Sequence, residues 1–317
     1  MKRYPETPRA ADAPPGLFES GHLWLQELVD GAHLRFRLRE SGMLEFGDRD
    51  RVYRDTAARS ASSSRTGSDD ADEIPASYRH AVRHVRESFD REALRAARED
   101  PSSVVFFGEA TVRCGVDYDW DRTPSFLGFD VWDADAQGAS SSRTGSDDAD
   151  AGQFLPPDAV EQVFDRVGLD SVNVFAKEVR AADFDPEDYA IPDSAWYDGP
   201  AAGAVVRNKT GQRAVIPNLD VEEAAVDETA PVDPSAEDAE TRAEELAERF
   251  VTRERVEAVA DDLEARGRPA TFDAVFERVF EAVAREEHRL LFGERASVDV
   301  GAFRSAVAAR TQRLRET

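Results

Sequence analysis

At 317 residues the chain has room for one large domain and a smaller one. Its 65 acidic residues outnumber 40 basic ones, a formal charge of −25 that excludes recognition of nucleic acid through a net basic surface. The 41% hydrophobic content, with 18 phenylalanines, excludes a disordered acidic chain and requires a packed core.

The N-terminus, Met1-Lys2-Arg3-Tyr4-Pro5, lacks the apolar stretch of a signal peptide, and no later run has the length needed to span a bilayer. A cytoplasmic protein without a membrane partner is expected. The acidity runs from end to end, and only Lys2, Lys177 and Lys209 are lysines. Both features fit a halophilic cytoplasm, where molar salt shortens the Debye length to about 3 Å and a hydrated acidic surface maintains solubility.

Short apolar runs predict strands at His22 to Leu28, His33 to Arg39, Val104 to Thr111, Phe126 to Trp132, Ser171 to Val179 and Ala204 to Arg207. Helical periodicity covers Ser77 to Arg98, through Tyr78, Val82, Val85, Phe89 and Leu94, and returns at Pro157 to Val167. The segment A-S-S-S-R-T-G-S-D-D-A-D occurs twice, at 61–72 and 139–150. Without a large apolar side chain it has nothing to offset the entropy of ordering, so both copies read as insertions in exposed loops. Cys114, the single cysteine, excludes an internal disulfide framework and a cysteine-rich zinc site.

Residues 219–240 are acidic and carry Pro231 and Pro234, a linker composition. Beyond them Thr241 to Arg266 and Thr271 to Leu291 are amphipathic, joined by Gly267-Arg268-Pro269, and a third helix is expected over Val300 to Leu314. The fold class is therefore α+β: a domain of strands with flanking helices over 1–218, an acidic linker over 219–240, and a helical bundle over 241–317. His288 in the bundle is a lone histidine without a ligand set, and reads as structural.

Five segments in fixed order carry a resemblance. Glu27-Leu28-Val29-Asp30-Gly31 resembles a Glu-Lys-x-Asp/His-Gly signature at a strand end, and Phe46-Gly47-Asp48-Arg49-Asp50-Arg51 resembles an arginine-bearing strand. Phe107-Gly108-Glu109 and Ser125-Phe126-Leu127-Gly128-Phe129-Asp130 follow as the most specific pair. Ala202-Gly203-Ala204-Val205-Val206-Arg207 resembles a Glu-Gly-x-Val-hydrophobic-basic motif. Together, over roughly residues 20 to 218, they resemble the ATP-dependent RNA ligases, covalent nucleotidyltransferases that join RNA ends in RNA repair.

The resemblance implies an adenylation domain of antiparallel sheets with flanking helices, followed by the helical domain. It implies ATP with magnesium or manganese as cofactors, and RNA ends as partner substrate. The nucleotide-binding residues it implies are Asp30, Gly31, Arg49, Glu109, Phe129 and Arg207, with Arg51 and Arg113 as further candidates for RNA phosphates. In the family a lysine amine attacks the α-phosphorus of ATP; that position is Leu28 here, which has no lone pair. The metal-binding glutamate position is Ala202, and the late lysine position is Val215. These losses fall on one reaction. Two readings are open: a ligase that keeps some nucleotide transfer by an unusual route, or a pseudoenzyme that holds a nucleotide or RNA end without covalent chemistry, beside a protein partner.

Overall fold

The computed structural model describes residues 1–53, 73–136, 152–222, 236–293, 296 and 298–316. Both copies of the duplicated segment, and most of the expected linker, lie outside the described residues. The chain groups into two compact units, Met1–Thr111 with Tyr118–Glu223, and Val112–Asp117 with Ala224–Thr317.

The first unit holds two antiparallel sheets. One has the order β7-β1-β8-β9, built from β1 (His22–Glu27), β7 (Val174–Arg180), β8 (Gly203–Asn208) and β9 (Arg213–Pro217). The other has the order β3-β2-β4-β5-β6, from β2 (Ala32–Leu38), β3 (Leu44–Gly47), β4 (Val104–Ala110), β5 (Phe126–Asp133) and β6 (Gln153–Phe154). The α+β class and the antiparallel sheets expected from the sequence are what the structure has.

Strand alternation decides what each face does. On the five-stranded sheet Leu34, Phe36, Leu38, Val104, Phe106 and Phe126 point into one core with α1 (Arg79–Ser88), α2 (Arg91–Ala97) and α3 (Pro157–Arg166). Phe36 and Phe106 stack at 4.9 Å, with Phe89 edge-on at 5.3 Å to each. Each such burial contributes about 1.5–3 kcal/mol. The residues of opposite parity, His33, Arg35, Phe107 and Glu109, are left for the other face. On the four-stranded sheet Leu23, Leu25, Val206 and Ala214 enter a separate core, which leaves Gln26, Val205, Arg207 and Val215 for the opposite side.

Several predicted elements are corrected. The helix expected over Ser77 to Arg98 is two helices, because Phe89 is extended and Asp90 starts a new one, its side chain accepting from the Ala93 N–H at 2.9 Å. The arginine-bearing strand ends at Gly47, so Arg49 and Arg51 lie in a loop; Asp48 folds that loop by accepting from the N–H groups of Asp50 and Arg51 at 2.8 and 2.6 Å. Strands β6 and β9 were not predicted.

The second unit is helical: α4 (Ala236–Phe250), α5 (Arg253–Ala265), α6 (Phe272–Glu286), α7 (His288–Phe292) and α8 (Val300–Glu316). The helix expected over Thr241 to Arg266 starts earlier and breaks at Thr252, whose hydroxyl caps α5 by accepting from the Arg255 N–H at 3.2 Å. The helix expected over Thr271 to Leu291 is interrupted at Glu287. Val275, Val279, Phe280 and Val283 of α6 are buried, as the apolar stripe required. Arg113 belongs to this unit and lies 3.6 Å from Asp117. Among the described residues no helix is long and apolar enough to cross a membrane.

Candidate functional site

The facing sides of the two sheets, with the N-terminal segment, line a cavity of about 270 Å³. Its lining includes Leu28, Arg49, Glu109, Phe129, Arg207 and Val215, six positions that the motif comparison singled out. Tyr4, Glu6, Thr7 and His33 complete much of the rest.

A bulge presents Phe129. The β4–β5 register passes from Phe107 opposite Asp130 to Gly108 opposite Gly128, which leaves Phe129 as the extra residue. Phe129 and Asp130 thereby address the same side: the Phe129 ring meets Tyr4 edge-on at 5.0 Å, and the Asp130 carboxylate accepts from Arg207 at 2.9 Å. Gly128 faces the core, where a Cβ would stand 2.1 Å from the Phe164 ring.

Asp130 is the centre of a buried cluster. Arg207 and Arg213 are opposite each other in the β8–β9 register, and both ion-pair with this carboxylate, at 2.9 and 2.7 Å. Arg207 also donates to the Phe129 carbonyl at 2.7 Å. The Tyr4 hydroxyl donates to Asp130 at 3.0 Å and accepts from Arg213, whose guanidinium lies over the Tyr4 ring at 4.8 Å. Burial, with Asp130 beside it, pushes the Tyr4 hydroxyl well above the usual phenol range. Two cations share one anion here, and the four-stranded sheet is tied to the five-stranded one.

Glu109 has a different setting. It pairs across β2–β4 with His33, and Gly31 approaches so closely that a Cβ there would lie 3.2 Å from that of Glu109. Its carboxyl group has no hydrogen-bond partner among the described residues. Burial pushes its pKa up to about 8, against the pull of Arg49 and with the help of Asp30, so at neutral pH it is mostly a neutral acid. His33 is held down to about 4 by burial, reinforced by Arg49 and Arg35, and its Nε2 is buried without a partner. Arg49 is exposed and forms no hydrogen bond or ion pair among the described residues.

Leu28 follows β1, and its N–H donates to the Gly203 carbonyl at 3.0 Å. A Cβ on Gly203 would come within 3.0 Å of the Leu28 Cδ2, so the leucine packs over that glycine. Glu27 beside it accepts from Ser194 Oγ at 2.5 Å and from Asn173 Nδ2 and the Ala195 N–H at 3.1 Å each. Ala202 is buried outside the cavity lining, and its carbonyl accepts from the Asn218 N–H at 2.8 Å. Asp30 and Gly31 also stand outside the lining; the Asp30 N–H donates to the Tyr118 hydroxyl at 2.8 Å.

A divalent cation does not fit these donors. Glu27 is engaged three times, burial disfavours the Glu109 carboxylate, and Ala202 offers no carboxylate. Among the described residues no cluster of three or more His, Cys, Asp or Glu has the geometry for a metal. Nor does a lysine line the cavity. Lys177 pairs with Glu161 at 2.7 Å and lies 4.9 Å from the Trp24 ring centroid, and Lys209 pairs with Glu178 at 2.7 Å.

Tyr4, Glu6, Thr7 and His33 were not singled out from the sequence. The N-terminal segment reaches the cavity through contacts such as the Val215 N–H donating to the Pro8 carbonyl at 2.8 Å, which have no local signature. His33 was accessible in principle, since its parity on β2 is opposite to that of the core-facing Leu34, Phe36 and Leu38.

Two antiparallel sheets facing across a cavity, with helices on the outer face of the larger, define the nucleotidyltransferase fold. The model of the family described as RNA ligase matches residues 21–218, and the chain belongs to the RNA ligase family. Among solved structures, an archaeal ATP-dependent RNA ligase is similar at 15% identity and a TM-score of 0.44, over 100% of this chain and 66% of that one. A Naegleria gruberi RNA ligase with pyrophosphate is similar at 15% identity and a TM-score of 0.48, over 72% of this chain and 58% of that one. A variant of the Naegleria enzyme with ATP and manganese has 15% identity and a TM-score of 0.45, over 70% and 58%. The chain thus spans less than two thirds of the length of these proteins, 66% of the archaeal one and 58% of the Naegleria ones. No curated protein matches in sequence.

Proposed function

We propose that this RNA ligase family member is a pseudoenzyme that holds a nucleotide in the cavity between its sheets and does not form the lysine-AMP intermediate. The observation that carries the reading is the meeting of Leu28 and Val215 in one cavity with Glu109, Phe129 and Arg49. The nucleophile and late-lysine positions are apolar, while groups suited to a base and ribose are present. An alkyl side chain cannot attack phosphorus. Relocation of the nucleophile to Lys177 or Lys209 is disfavoured by their ion pairs and by their positions outside the lining.

RNA ends are the macromolecular partner that family membership suggests, with Arg51 beside Arg49 on the Asp48 loop as a candidate phosphate contact. The acidic composition supports work at high salt in the cytoplasm, where charge alone contributes little to RNA affinity. A protein partner would supply the covalent chemistry that Leu28 lacks.

Incubation with α-labelled ATP and manganese in high salt, followed by denaturation, tests this. No label is expected on the wild type. An acid-labile adduct on the wild-type chain would sink the reading and point to a relocated lysine. Labelling of Leu28→Lys alone would place the whole defect at that residue; an unlabelled variant would extend it to Ala202 and Val215.

A further inference from the structure

We infer that the cavity takes a nucleoside monophosphate without a metal ion, in preference to a nucleoside triphosphate. This rests on the cavity being a nucleotide site, and names the ligand class it is built for.

Size is the first consideration. At about 270 Å³ the cavity is just below the usual range of ligand sites, about 300 to 1,000 Å³. Its apolar surface, from Phe129, Val172, Val205 and Val215, suits a single planar base with its sugar. Leu28 adds an alkyl group where charge would otherwise be neutralised.

The charge inventory is more decisive. Two arginines line the cavity, and they are not equivalent. Arg207 is 2% exposed and its terminal nitrogens are held by Asp130 and the Phe129 carbonyl, so it has no free fork for a phosphate even though it shares that carboxylate with Arg213. Arg49 alone is uncommitted among the described residues, and it stands at an exposed position. One guanidinium fork matches one phosphate bidentately. A triphosphate carries several negative charges, and sites that hold one combine cationic side chains with a metal ion. Here the donors do not suit a metal, because Glu27 is saturated by Ser194, Asn173 and Ala195. Glu6, also on the lining, adds a carboxylate that repels further phosphates.

Two further polar groups are neutral hydrogen-bonding partners. Glu109 offers a protonated carboxyl group and His33 an unpartnered Nε2, both facing a ligand the size of a nucleoside more favourably than a polyanion. The arrangement is an apolar slot with the neutral groups of Glu109 and His33, the Glu6 carboxylate, and one uncommitted cation, Arg49.

Calorimetric titration of the full chain at high salt decides the matter, with adenosine, AMP, and ATP with and without manganese as probes. AMP is expected to bind at least about tenfold more tightly than ATP with manganese, and to be indifferent to EDTA. Arg49→Ala should bring AMP down to the affinity of adenosine while leaving adenosine unchanged; a thermal melt on the same sample checks that the variant is folded. Tighter binding of ATP with manganese, or an AMP affinity that needs the metal, overturns the inference while leaving the nucleotide site standing. If none of the probes binds, the nucleotide reading itself fails and the inference with it.

Discussion

The two sides of the cavity differ in whether their polar groups already have partners. On one, Tyr4, Asp130, Arg207 and Arg213 bond to one another and join the sheets. On the other, Glu109, His33 and Arg49 face the cavity without comparable partners among the described residues. Buried polar groups that fold onto each other stabilise the scaffold; groups left without partners cost stability and make sense where a ligand completes them. The comparison separates scaffold from site more sharply than motif position does, since Arg207 and Arg49 both stand at motif positions.

The largest expected effect comes from breaking the partnered side. Asp130→Ala leaves two guanidinium groups facing each other across β8 and β9, and should cost about 3–5 kcal/mol in chemical denaturation. A loss below about 1 kcal/mol would mean that water reaches the cluster and that it is no anchor.

The other side should respond in the opposite direction. Glu109 titrates at about 8 in the folded protein against 4.5 for the free side chain. Between these values the folded state holds a proton that the unfolded state has released, so stability falls as pH rises from 4.5 to 8 and then levels off. Glu109→Gln removes that slope. The variant should match the wild type near pH 4 and exceed it by roughly 1–3 kcal/mol at pH 8. Parallel denaturation curves at both pH values would show instead that Glu109 is ionised and solvated.

Tyr4→Phe ranks next. It keeps the ring packed against Phe129 and Phe107 but removes the hydroxyl between Asp130 and Arg213. A loss of about 1–2 kcal/mol in the denaturation midpoint analysis is expected. No loss would detach the N-terminal segment from the buried cluster.

These contrasts also explain how much could be read from the chain. Period-two alternation in Leu34, Phe36 and Leu38 was legible, because one face of that strand enters an apolar core, while Val104 to Phe107 was legible only as an apolar run because both of its faces are buried. Glu109 and Phe129 were legible through their motif setting, and the structure brings them to one cavity with Leu28. The Asp90 and Thr252 caps carried a signal that the longer helical periodicity overrode. The commitment of Arg207 was not legible, since it depends on Asp130 of a strand 77 residues away and on the bulge that turns Phe129 and Asp130 to the same side. Tyr4 was hidden for the same reason: its partners are 126 and 209 residues distant.

The smallest stability effect belongs to Arg49, and its smallness is informative. As an exposed side chain with no hydrogen bond or ion pair among the described residues, it has little to lose on truncation, so Arg49→Ala should alter unfolding by no more than about 0.5 kcal/mol. Its one visible influence is on its neighbours: it draws the Glu109 pKa down and helps hold that of His33 low. Removing it should therefore carry the decline in stability beyond pH 8, by way of Glu109, and soften the loss of stability below pH 6.5, by way of His33. A loss comparable to that of Asp130→Ala would make Arg49 part of the scaffold. A near-neutral variant whose decline in stability extends past pH 8 would leave Arg49 where the geometry puts it, beside Glu109, with its charge available to a ligand.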